Sequence, residues 1–144
     1  MKKILIINGP NLNLLGERNP ELYGNETLED INNRIGEYAK QYDIECRFFQ
    51  SNHEGALIDC IQEHRKWMDG LIINPAAYAH TSVALHDAIE ELTCPVIEVH
   101  LSNIYRREEF RHNSFVSSVA AGIIAGFGTK GYILAIDALV AFEQ

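Results

Sequence analysis

Apolar residues follow two patterns along the chain. Short unbroken runs at Ile4 to Ile7, Cys46 to Phe49, Gly70 to Ile73, Val96 to Val99 and Gly122 to Ala125 are bounded by turn-forming residues and predict buried strands. Between them apolar positions recur at three-and-four spacing, the signature of amphipathic helices. Leu28, Ile31, Ile35, Tyr38, Ala39 and Tyr42 mark one such helix, with Thr27 and Asp30 placed as a capping box at its start. Leu57, Ile58, Ile61, Arg65 and Met68 mark a second that stops at Asp69-Gly70. Val83 to Leu92 gives a third, ended by Pro95, and Thr129 to Glu143 a fourth.

Strands that alternate with helices and are apolar on both faces imply a parallel sheet covered on both sides and joined by right-handed crossovers. The expected fold class is α/β, a three-layer sandwich. Five strands suggest the flavodoxin-like order 2-1-3-4-5, in which strands 1 and 3 diverge into a crevice at their carboxyl ends. A length of 144 residues, 47% of them hydrophobic, fits one domain over 1–144, and no repeat, low-complexity tract or linker divides it.

Three segments fit neither pattern: residues 9–26, 74–81 and 101–118. All begin at the carboxyl ends of strands 1, 3 and 4, where ligands bind in open α/β sheets. They carry Asn11, Asn13, Arg18 and Tyr23; Asn74 and His80; and, with the end of strand 4, Glu98, His100, Ser102, Arg106, Arg107 and Arg111. The first, GPNLNLLGERNPELYG, is long, irregular and rich in turn residues, as functional lids are; residues 17–24 are its candidate lid. His80 precedes Thr81-Ser82, the expected cap of the third helix, and so reads either as a neighbour of that cap or as a functional group.

Composition narrows the ligand. A formal charge of −8 argues against nucleic acid and anionic membranes as partners, since both need a basic footprint. Three arginines within residues 106–111 of so acidic a chain point to a small anion, because arginine offers a charged donor fork to carboxylate or phosphate. Ion pairing of Arg106, Arg107 and Arg111 with Glu108 and Glu109 on a solvated surface would use the same spacing. Cys46, Cys60 and Cys94 are widely spaced and form no CxxC pair, so reduced thiols and a cytoplasmic setting are expected. Lys2 and Lys3 precede an apolar run too short for a signal peptide, and no membrane segment is expected. His53, His64, His86 and His112 fit no metal-ligand spacing, and neither metal nor cofactor is expected. The string Gly126-Phe127-Gly128-Thr129-Lys130-Gly131 matches GxGxxG, but no strand follows its helix, so it reads as close helix packing.

Taken in order, INGPNLNLLG at 7–16, PELYG at 20–24, NPAAYAHTSVALHDAI at 74–89, EVHLSN at 98–103 and REEFRHNS at 107–114 resemble the type II 3-dehydroquinate dehydratases. The resemblance covers nearly the whole chain. It implies dehydration of 3-dehydroquinate to 3-dehydroshikimate by anti elimination through an enolate. It further implies Tyr23 as general base with Arg18 beside it and Arg107 in support, Asn11 at the enolate oxygen, and His100 as general acid oriented by Glu98. Leu101 and Ser102 would hold the substrate carboxylate, and Asn74, His80 and Arg111 the ring hydroxyls. Asp87 would come from an adjacent subunit of a dodecamer built from trimers. A free tyrosine has a pKa near 10. One arginine at about 4 Å supplies roughly 4 kcal/mol at an effective dielectric of about 20, enough to let an ionised phenol serve as base.

Two positions depart from that pattern: Asn19 stands where the family usually carries glutamate, and Ala76 where glycine is common. Lys2, Lys3, Lys40, Lys66 and Lys130 all lie outside the motifs, which argues against Schiff-base chemistry. A receiver-like module needs acidic residues where this chain has Asn8-Gly9 and Asn74. A flavodoxin needs a hydroxyl-rich phosphate loop after strand 1, whereas this loop has no serine or threonine before Thr27. A small-anion-binding protein of the same fold, without catalysis, is the alternative.

Overall fold

A computed structural model of the chain describes residues 3–17 and 20–142, with the backbone alone at Leu22 and Tyr23. Arg18 and Asn19 and the side chain of Tyr23 lie outside the described residues. Five strands, β1 (Lys3–Asn8), β2 (Glu45–Gln50), β3 (Gly70–Asn74), β4 (Val96–His100) and β5 (Gly122–Ala125), form one parallel sheet in the order β2-β1-β3-β4-β5. This is the expected α/β fold with the expected strand order. The helices are α1 (Pro20–Tyr23), α2 (Leu28–Ala39), α3 (Glu54–His64), α4 (Val83–Glu90) and α5 (Lys130–Ala141).

Strand side chains alternate between the two faces of the sheet. Ile4, Ile6, Ile72, Ile97 and Val99 face one way, against Ile31 and Ile35 of α2 and Tyr132 and Ile136 of α5. Leu5, Ile7, Leu71, Ile73 and Val96 face the other, against Leu57 and Ile61 of α3 and Leu85 and Ile89 of α4. The sheet is therefore the middle of three layers.

The predicted caps form. Thr27 Oγ1 accepts the Asp30 N–H and Asp30 Oδ2 accepts the Thr27 N–H, both at 3.1 Å, closing the capping box of α2. Ser82 caps α4 by accepting the Leu85 N–H at 2.9 Å.

Helices α2, α3 and α4 end earlier than their periodicity suggests: α2 at Ala39, where Lys40–Tyr42 continues as a 3-10 turn, α4 at Glu90, and α3 by the widest margin. α3 ends at His64, and the Trp67 and Met68 N–H groups both donate to the His64 carbonyl, so Met68 reaches the core from a turn. Periodicity alone cannot separate a last helical turn from a turn that keeps the same side facing inward. The GxGxxG segment packs closely, as expected. A Cβ on Gly131 would stand 3.2 Å from Val99 Cγ1, so the missing side chain lets α5 settle onto β4.

Candidate active site

At the carboxyl ends of β1, β3 and β4 the chain leaves a cleft of about 210 Å³. β1 and β3 are neighbours in the sheet, and β1 continues to β2 on the opposite side, so the cleft opens where the strand order reverses. Asn11, Asn74, His80, His100, Leu101, Ser102, Arg107 and Arg111 all line it, and Leu12, Leu15 and Ile104 supply an apolar wall. Of the described residues singled out in the sequence, Asn13, Asp87, Glu98 and Arg106 do not line it. Asp87 is exposed on α4 and accepts a 2.9 Å hydrogen bond from His86 Nδ1. Arg106 is exposed outside the cleft, and Asn13 reaches only Gln50, at 3.5 Å.

The floor is set by β1 and β3. Gly9 follows β1 and passes so close to Pro75 that a Cβ there would sit 2.5 Å from the Pro75 carbonyl oxygen; the Gly9 N–H donates to the Asn74 carbonyl at 2.8 Å. That approach holds the first loop beside the end of β3. Asn11 then adopts a left-handed conformation, φ 72°, which asparagine tolerates better than most residues. Its N–H donates to Asn52 Oδ1 at 2.9 Å, which ties the root of the loop to the end of β2. Ala76 is also left-handed, φ 52°, a conformation natural to the glycine that the related motif carries there.

Asn74 is 2% exposed, and each of its two polar side-chain atoms has a partner. Its Oδ1 accepts the Ala76 N–H at 3.1 Å and its Nδ2 donates to the Tyr132 hydroxyl at 3.1 Å. Tyr132 in turn donates to Asn8 Oδ1. Burial pushes the Tyr132 phenol above its usual range, only partly offset by the bond from Asn74, so it remains a donor. Asn8 and Tyr132 were not singled out in the sequence, because a buried apolar helix face hides a hydroxyl aimed at the strand ends.

β4 places the ionisable pair. Glu98 and His100 are two residues apart, hence on the same face. Glu98 is 0% exposed and His100 5% exposed. His100 Nε2 donates to Glu98 Oε2 at 2.5 Å. The Ser114 hydroxyl donates to Oε2 at 2.7 Å and the Ser117 hydroxyl to Oε1 at 2.5 Å. Burial by itself raises the Glu98 carboxyl, but the bonds from His100, Ser117 and Ser114 together outweigh it and hold the group below its ordinary range. The His80 ring stacks on that of His100 with centroids 6.2 Å apart and planes 19° apart, and its Nδ1 donates to the Asn113 carbonyl at 2.8 Å. Ser114 and Ser117 escaped the sequence reading, since they lie in an irregular stretch without periodicity.

The arginine cluster divides. Arg107 Nη1 approaches the Ser102 hydroxyl at 3.5 Å. Arg111 lines the cleft and also bonds Glu108 through its Nε at 2.5 Å, so anion-facing and ion-pairing roles coexist in one residue. The bond from Arg111 is the main cause that holds the Glu108 carboxyl below its ordinary range.

Backbone donors complete the cleft. The His100 and Leu101 carbonyls accept from Gly126 and Gly128 at 3.3 and 2.9 Å, on the β5 side. In a planar trans peptide the next N–H points the opposite way. The Leu101 and Ser102 N–H groups are thus turned away from β5, toward the side of the cleft. Chemically, the arrangement joins a carboxylate-held imidazole to cationic and neutral donors, a set suited to proton transfer on a small anion.

Among the described residues no helix is long and apolar enough to cross a membrane. Cys46, Cys60 and Cys94 are free thiols; burial pushes those of Cys46 and Cys60 up to about 11, which makes them poor nucleophiles.

The sequence profile of the family Dehydroquinase class II matches residues 2–140. A protein of Variovorax paradoxus named 3-dehydroquinate dehydratase is 54% identical, covering 97% of this chain and 99% of that protein. One of the same name from Cereibacter sphaeroides is 56% identical over 92% of this chain and 90% of its own length. The crystal structure of a type II dehydroquinase from Butyrivibrio crossotus superposes with a TM-score of 0.93 at 53% identity, covering 96% of this chain and 97% of that one.

Proposed function

The chain belongs to the class II dehydroquinases, a family of hydro-lyases, and from that premise we propose how its own residues remove water from 3-dehydroquinate. The base takes a proton from the carbon beside the ketone, and the electron pair moves into an enolate. The enolate then collapses to a carbon–carbon double bond and expels the neighbouring tertiary hydroxyl, which leaves as water with a proton from the acid.

His100 is the acid. Its Nε2 is occupied by Glu98, so Nδ1 is the atom that carries the transferred proton. Tyr23 is the base, on a lid over residues 17–24 that closes with Arg18, and Arg107, which lines the cleft, supports the phenolate in this reading. Asn11 holds the donor or water at the enolate oxygen. The substrate carboxylate takes the Leu101 and Ser102 donors, and Asn74, His80 and Arg111 hold the ring hydroxyls. Asp87 does not line the cleft of its own chain; in this reading it serves the cleft of an adjacent copy, within a dodecamer built from trimers.

The observation that carries the reading is the buried Glu98–His100 pair, which presents an imidazole of fixed orientation to a cleft with anion donors. The test is ultraviolet absorbance after mixing the protein with 3-dehydroquinate in excess EDTA. A rise from the conjugated enone of 3-dehydroshikimate is expected, abolished by His100→Gln and Tyr23→Phe. A flat trace from folded protein would refute the reading. Full turnover in Tyr23→Phe would remove the base assignment alone.

A further inference from the structure

We propose that Ser114 and Ser117 are positioning residues that set the acid strength of His100 through Glu98. The inference rests on the reading of His100 as the acid and adds two residues to it. Glu98 is 0% exposed and receives three donors: Ser117 on Oε1, and Ser114 and His100 Nε2 on Oε2. The Ser114 oxygen also accepts the Val116 N–H at 3.2 Å, so its single proton is committed to the carboxylate. A carboxyl group met by three donors acts as an acceptor only, and is ionised. The proton between Glu98 and His100 therefore stays on Nε2.

When His100 gives up its Nδ1 proton, the pair becomes a buried anion with its charge on Glu98. The two hydroxyls stabilise that anion more than they stabilise the protonated pair, and so make His100 release its proton more readily. Without one of them the pair holds its proton more tightly, and His100 is a weaker acid. The stretch that carries the serines is fastened to the other imidazole as well. Asn113 accepts from His80, and the Phe115 N–H donates to the Ala79 carbonyl at 2.8 Å, so residues 113–117 fix both stacked rings. Among the described residues, the other charged or titratable groups that line the cleft with His100 are His80 after β3 and Arg107 and Arg111. None of them changes when a serine is replaced.

The experiment measures kcat and KM against pH for Ser114→Ala, Ser117→Ala and the threonine variants of both, with side-chain ¹⁵N NMR of the histidines and His100→Gln to assign the His100 signal. Each alanine is expected to move the high-pH limb of kcat and the His100 titration upward by about one pH unit, the worth of one hydrogen bond to a charged group. The plateau of kcat below that limb falls by about three- to tenfold, as a weaker acid requires, with KM held within about twofold. Threonine, which keeps the hydroxyl, restores the wild-type limb. Cysteine at either position, nearly the same size but a weaker donor, covers the case in which an alanine variant does not fold. Folded alanine or cysteine variants whose limb and titration stay at the wild-type pH would overturn the proposal. Should the protein not turn over 3-dehydroquinate at all, the catalytic reading falls, while the NMR titration still decides whether the serines act on His100.

Discussion

Tyr132→Phe isolates the polar network beneath the cleft, because it removes one oxygen atom from a ring that is 0% exposed. That oxygen donates to Asn8 Oδ1 and accepts from Asn74 Nδ2. Asn8 is 1% exposed and Asn74 2% exposed, so water does not replace the lost partner. Each buried group left unpaired costs about 1–3 kcal/mol. Two of them, with some relaxation, give a loss of about 3 kcal/mol, a large share of the roughly 5–15 kcal/mol that holds a domain together. At this chain length 1 kcal/mol corresponds to about 3 °C, so the melting temperature should fall by about 9 °C. Urea unfolding measures the loss directly, as a lower midpoint at unchanged slope. In the proposed mechanism Asn74 holds a ring hydroxyl, so its release should raise KM more than it lowers kcat. A loss under about 1 kcal/mol would refute the reasoning, since it would mean that the two asparagines find other partners and that Tyr132 acts only by packing.

Glu98→Gln tests the buried carboxylate through pH. The folded Glu98 carboxyl lies below its ordinary value of 4.5, so the unfolded chain takes up that proton first; the stabilisation is complete above pH 4.5 and fades as pH falls toward the folded value. The urea midpoints of wild type and variant should converge below pH 4.5, and a gap that is constant from pH 6 to pH 3 would contradict this. Ala76→Gly relieves a left-handed alanine at φ 52°; the relief of about 1–2 kcal/mol exceeds glycine's entropic cost of about 0.5–1 kcal/mol, for a net gain of about 0.5 kcal/mol in urea unfolding, and a net loss would show that the alanine methyl packs better than its backbone is strained. Gly9→Ala places a Cβ 2.5 Å from the Pro75 carbonyl oxygen and should cost about 3 kcal/mol, with turnover lost in whatever folds; wild-type stability would mean that the loop moves aside freely.

The architecture was legible because each strand combines a short apolar run with flanking turn residues, and because irregular polar segments stand out against such runs. The carboxyl-end rule then gathered Asn11, Asn74, His80 and His100 before any coordinate was known. Contacts between distant positions were not legible. Ser114 and Ser117 reach Glu98 from 16 and 19 residues away, and Tyr132 reaches Asn8 from 124. No local pattern announces a hydroxyl that serves as a donor to a strand on the other side of a loop. Helix length failed at α3 for a related reason: Met68 keeps the helical period while reaching the core from a turn. Asp87 lies outside its own chain's cleft, exposed on α4.

The arginine cluster is open to two readings, an anion site or solvated ion pairs, and the geometry of Arg111 is compatible with both at once. Arg111 spends its Nε on Glu108 while lining the cleft, and a guanidinium has further N–H groups in a rigid fork. The ion pair fixes where that fork points without using it up. Local placement of this kind is what an acidic chain needs in order to attract an anion. At physiological ionic strength charges are screened beyond about 8 Å, so a net charge of −8 spread over the chain does not by itself keep a small anion from a cleft lined by Arg107 and Arg111. In the proposed mechanism the substrate carboxylate is held by a few donors at the end of β4, and the composition of the rest of the surface is left free.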